Sequence, residues 1–78
     1  MGAFDKYKST NVEVWGSYAG EDLTEIPIDH VVRTSEKAVL VSSEGEKVWL
    51  PLSQTHLIDP YRHCGWISNW IANEKGFV

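Results

Sequence analysis

Apolar and polar positions alternate most clearly between Lys37 and Pro51, KAVLVSSEGEKVWLP. In Ala38–Ser42, Val39 and Val41 share one face of an extended segment, opposite Ala38 and Leu40. In Glu46–Leu50, Val48 and Leu50 share a face opposite Trp49. The two runs are separated by Ser43-Glu44-Gly45, with Gly45 suited to a positive φ, and this predicts a β-hairpin with a short loop. Pro51 has no N–H to donate and marks the end of the ladder or an edge. Upstream, Ile28–Arg33 reads as a strand that enters the hairpin through a turn at Thr34-Ser35-Glu36. Asn11–Trp15 also alternates, with Val12 and Val14 on one side, and is a fourth candidate strand. Thr55–Ile58 is a short fifth, followed by the turn signal Asp59-Pro60. Gly16–Pro27 reads as a looser connection.

The pattern changes at the C-terminus. Ser68 is suited to cap a helix over Asn69–Lys75, Gly76 to stop it, and Phe77 to fold back onto it. Trp70 and Ile71 supply its apolar face, and an earlier start would place Trp66 and Ile67 one turn before them. So short a helix forms only by laying that face on a sheet. The expected architecture is α+β, mainly β: an antiparallel meander of three to five strands, open or curled into a small barrel, closed by one short C-terminal helix. Val39, Leu40, Val41, Val48, Leu50, Trp70 and Ile71 are its expected core.

At 78 residues the chain is a single domain, residues 1–78, near the lower end of what folds alone. Such a chain buries only about 60–65% of its unfolded surface, so its large side chains carry much of the stability. Four tryptophans, Trp15, Trp49, Trp66 and Trp70, are therefore expected between sheet and helix. The lone cysteine, Cys64, allows no internal disulfide, which points to a reducing compartment and a cytoplasmic location. No apolar run reaches the length of a membrane span, and MGAFDKYKST lacks the apolar stretch of a signal peptide. Lys6 stands where a myristoylation motif has Ser or Thr.

Chemistry is thinly represented. There is no glycine-rich phosphate loop, no G-x-S-x-G, no H-E-x-x-H and no C-x-x-C. His30, His56, His63 and Cys64 have no recognised ligand spacing, and adjacent residues on a strand face opposite ways. The expectation is a non-enzymatic protein without metal or cofactor, in which Cys64 is a small interior hydrophobe. Net charge is −4, and between Lys8 and Arg33 the charged residues are all acidic: Glu13, Glu21, Asp22, Glu25 and Asp29. That segment is either a solvated loop that keeps the chain soluble or a surface for a basic partner. The balance is wrong for holding a long phosphate backbone, so direct nucleic-acid binding is not expected.

The central and C-terminal segments resemble a type of short bacteriophage and prophage protein. The resemblance is carried by Arg33-Thr34-Ser35-Glu36-Lys37-Ala38-Val39-Leu40-Val41, Gly45, Val48-Trp49-Leu50-Pro51-Leu52-Ser53-Gln54, and the ending Trp70-Ile71-Ala72-Asn73-Glu74-Lys75-Gly76-Phe77. Thr55–Trp66 is longer than the usual link, and the acidic segment lies outside the shared pattern. The resemblance implies a phage origin and assigns no catalytic residues. By size, charge and such an origin, the chain is similar to anti-CRISPR proteins, several of which use acidic surfaces to occupy a nucleic-acid groove.

The leading expectation is thus an inhibitor of a host nucleic-acid-handling defence complex that meets basic residues of a host protein. Glu21, Asp22, Glu25 and Asp29 would supply charge and Tyr18 an aromatic anchor. Two alternatives stay open. One is a single-stranded nucleic-acid accessory module using Trp49 with Arg33, Lys37 and Lys47. The other is a structural or assembly component that pairs through a sheet edge.

Overall fold

The computed structural model describes residues 12–78, so the N-terminal sequence MGAFDKYKST and Asn11 lie outside the described residues. In chain order the elements are β1 (Val14–Trp15), β2 (Leu23–Pro27), β3 (His30–Thr34), β4 (Ala38–Ser43) and β5 (Glu46–Pro51). A 3-10 turn (Leu52–Gln54) leads to β6 (Thr55–Asp59), β7 (Cys64–Ser68) and the helix α1 (Asn69–Glu74). The protein is mainly β with one short C-terminal helix, in the class the alternation predicts.

The meander forms as expected: β3, β4 and β5 are consecutive antiparallel neighbours in a three-stranded sheet. Ser43 pairs with Glu46, leaving Glu44 and Gly45 as a two-residue loop with φ of 51° and 85°. Positive φ at both positions is the type I′ geometry, whose twist matches that of the flanking strands. Gly45 adopts it freely, whereas Glu44 strains its Cβ. Replacing Glu44 with Asn should therefore raise stability by about 0.5–1 kcal/mol in urea unfolding, with the slope unchanged.

The remaining strands form a second sheet in the order β1-β6-β7-β2, and neither sheet closes into a barrel. The Gly16–Pro27 connection contains β2, which pairs along its whole length with β7 from Leu23↔Ser68 to Pro27↔Cys64. Trp66 and Ile67 are accordingly strand residues and not an early helical turn. The alternation of Cys64–Ser68 is muted because Gly65 occupies a core-facing position. A Cβ there would stand 2.7 Å from Ile58 Cδ1 and 3.3 Å from Ile28 Cγ1. The Asp59-Pro60 signal does mark a turn: Asp59 Oδ1 accepts from the Tyr61 and Arg62 N–H groups, and Asp59 pairs with Cys64 across the hairpin.

One apolar cluster joins both sheets and the helix. Ile26, Ile58 and Ile67 come from the four-stranded sheet, Val31, Val39, Val41 and Leu50 from the three-stranded one, and Ile71 and Ala72 from α1. Ser68 Oγ accepts the Ile71 N–H at 3.2 Å and caps the helix. At the other end Gly76 (φ 81°) donates to Asn73 and Phe77 to Ala72, a Schellman closure that lays Phe77 on the core. The tryptophans do not form this core. Trp15, Trp49 and Trp70 are 62%, 42% and 60% exposed, and Leu40 is only half-buried. Trp70 precedes Ile71 by about 100° around the helix, and a helix of fewer than two turns has a single face to dock. Among the described residues no helix is long and apolar enough to cross a membrane.

Candidate functional site

Registration across the four-stranded sheet sorts its side chains into rows. Val14, Ile58, Gly65 and Ile26 lie in one row and face the core. The next row is Trp15, Leu57, Trp66 and Glu25, and alternation turns it to the opposite, outer face. Leu23, two residues before Glu25, shares that face. An irregularity between Thr55 and Leu57 brings His56 to it as well. Leu23, His56, Leu57 and Trp66 line an open, mostly apolar groove of about 290 Å³. The rings of Trp15 and His56 meet edge to face with centroids 5.8 Å apart. The result is a band of apolar and aromatic side chains across the sheet, with a carboxylate at its β2 end.

The acidic residues singled out in the sequence fall in three places. Glu21 and Asp22 are exposed just before β2, beside Leu23. Tyr18 donates its hydroxyl to the Asp22 carboxylate, which raises the phenol above its usual range. Gly20 permits this bridge, since a Cβ there would stand 2.9 Å from Asp22 Oδ1 and run into the Tyr18 ring. The Tyr18 ring is thereby tied into its own loop. Glu25 lies in the aromatic row opposite Trp66.

Asp29 stands apart, beyond the far end of β2, whose five residues span roughly 16 Å. Its carboxylate accepts from Gly45 N–H at 3.0 Å and Ser42 Oγ at 3.1 Å, pinning the β4–β5 loop. The Gly45 N–H, followed by the Ser42 hydroxyl and the charges of His30 and His63, holds this carboxyl below the ordinary range. A group lowered in the folded state stabilises above its unfolded pKa of about 4, and that contribution fades as pH falls through the lowered folded value. Asp29→Asn should therefore lower the Tm at neutral pH, where the ionised carboxylate contributes, and flatten the acid limb of a melting-temperature profile below about pH 4.

Cys64 is buried, as the sequence suggests, and burial together with the Glu25 and Asp59 carboxylates pushes its thiol up. That environment disfavours the thiolate a nucleophile needs. His63 Nδ1 lies 3.3 Å from the Ile28 carbonyl oxygen and His56 Nδ1 3.4 Å from that of Tyr18. Among the described residues no group of three His, Cys, Asp or Glu is placed to hold a metal ion.

The aromatic row was hidden in the sequence because its members come from four strands, β1, β2, β6 and β7. Reading Gly16–Pro27 as a loose connection hides Glu25 and the neighbouring Leu23, and an earlier helix start would remove Trp66. The one available signal is the alternation of Leu23–Pro27, where Ile26 sits between Glu25 and Pro27. The chain matches no protein-family model, no curated protein and no solved structure.

Proposed function

We propose that this chain is a binding protein that captures a segment of a basic protein partner on the outer face of its four-stranded sheet. The reading rests on one observation: Trp15, Leu57 and Trp66 are registered side by side away from the core, with Glu25 ending the row. An exposed indole, Trp15, beside the half-buried Trp66 at an open groove is the kind of anchor that dominates protein–protein affinity. Glu21, Asp22 and Glu25 supply charge around the groove, and that charge favours a partner segment carrying Lys or Arg beside apolar side chains. In the setting implied by the resemblance to phage proteins, the partner is a host nucleic-acid-handling complex, and occupying its basic site inhibits it. Asp29 has no part in this surface; its carboxylate serves the β4–β5 loop.

The test is association with the partner recovered from host cytoplasm, measured by surface plasmon resonance at two ionic strengths. Trp15→Ala should raise dissociation at least tenfold, since the ring is exposed and its removal leaves the core intact. Glu21→Gln with Glu25→Gln should slow association and reduce its dependence on salt. Unchanged kinetics in both variants would refute this surface.

A further inference from the structure

The outer face of the three-stranded sheet has a different chemistry. His30, Ser42 and Lys47 form one row across β3, β4 and β5, and Arg33, Leu40 and Trp49 form the next. Val31, Val41 and Val48 lie between them in register and face the core. The placement of Arg33 depends on a bulge. Pairing passes from Val31↔Val41 directly to Arg33↔Leu40, so Val32 is the extra residue. Without it Arg33 would oppose Val39 and point to the core, because one step of register reverses every side chain.

Trp49 is 42% exposed and stands outside the core cluster. Arg33 is two strand spacings away, about 10 Å, and Lys47 is two residues along the same strand, about 7 Å. Lys37 stands in the turn just before Ala38, at the end of this sheet. Neither outer row contains a carboxylate. Asp29, at the hairpin end, has its carboxylate engaged by Ser42 and Gly45. Basic residues that look dispersed in the sequence are thus gathered around one exposed indole.

We propose that this face binds single-stranded nucleic acid, with a base stacked on Trp49 and the neighbouring phosphates held by Arg33 and Lys47. An indole with cations on two sides is the arrangement that sequence-tolerant single-strand binders use. An unpaired base is required, because a base inside a duplex offers no free face to the ring. The surface is separate from the one proposed for the basic partner, and either can fail alone. With a net charge of −4 and three local cations, binding is weak and strongly salt-dependent.

The experiment is fluorescence anisotropy with a dye-labelled oligothymidine of about twelve nucleotides. With Lys37 as a third contact beside Arg33 and Lys47, the expected slope is about −2 in log K against log salt, a loss of roughly 20-fold from about 50 to about 200 mM. Trp49→Ala should weaken binding about tenfold or more, and Arg33→Gln with Lys47→Gln should bring the slope toward about −0.7. Circular-dichroism melts of each variant establish that the fold persists. A duplex of the same sequence and a polyglutamate peptide are the comparison ligands. No binding of oligothymidine at low salt, or binding indifferent to Trp49→Ala, overturns the proposal. Polyglutamate binding as tightly as oligothymidine also overturns it, in favour of an acidic protein.

Discussion

Replacing Ile71 with alanine is expected to cost about 2–5 kcal/mol, enough to unfold much of a domain whose total stability is about 5 kcal/mol or a little more. Ile71 is 4% exposed and, with Ala72, is the residue through which α1 reaches the core. Removing its side chain leaves a cavity where the helix packs on β2 and β7, and the short helix has little intrinsic propensity to hold itself in place. The neighbouring Trp70→Ala is the control. With its ring 60% exposed, that variant should melt within about 1 kcal/mol of the parent, although the residue removed is the larger one. Urea unfolding of the two variants decides the matter. An Ile71→Ala protein as stable as Trp70→Ala would mean that the helix is not docked through this residue.

Gly16→Ala is expected to detach the short edge strand. A Cβ on Gly16 would overlap the Thr55 carbonyl oxygen and stand 2.6 Å from that of Leu52, and both are backbone atoms. At Gly65, by comparison, the nearest atom is the terminal methyl of Ile58, which can turn aside. Backbone cannot yield so cheaply, so the chain at Gly16 must move away from β6. That movement breaks the bonds from Gly16 N–H to His56 O and from Ser17 N–H to Leu52 O. A loss of about 2–3 kcal/mol follows, and amide exchange in Val14–Tyr18 and along the facing edge of β6 should accelerate. Because Trp15 is adjacent, capture of the proposed basic partner should weaken together with β1 protection. Retained protection of these amides in the variant would show that the close approach is not maintained in solution.

The strongest local patterns survived in the fold. The β4–β5 hairpin was legible because period-two alternation, a Gly-containing turn and a terminal proline all agree over Ala38–Pro51. The helix end was legible because Ser68, Gly76 and Phe77 act within one turn of their partners. β2 and β7 were not legible, and the reason is specific. Their core positions include Thr24 and Gly65, which carry little apolar signal, while their outer positions include Leu23 and Trp66, which carry a strong one. The periodicity is thus blurred where the outer face is itself apolar, and that face is the proposed docking surface. The tryptophans misled for a related reason: ring size predicts burial on average, but four such rings exceed what a cluster of Ile and Val between two small sheets admits.

By itself the sequence determined a mainly β chain with a three-stranded meander, a capped C-terminal helix and an interior cysteine. Each follows from interactions within a few residues or from the alternation of one strand. Only the tertiary structure decided that there are two sheets, that Trp15, Leu57 and Trp66 stand in one row, and that Asp29 leaves the acidic group to pin a loop. It also decided that Arg33 and Lys47 flank Trp49, through a single extra residue in β3. These depend on register between strands distant in the chain, where a shift of one residue exchanges the buried face for the exposed one.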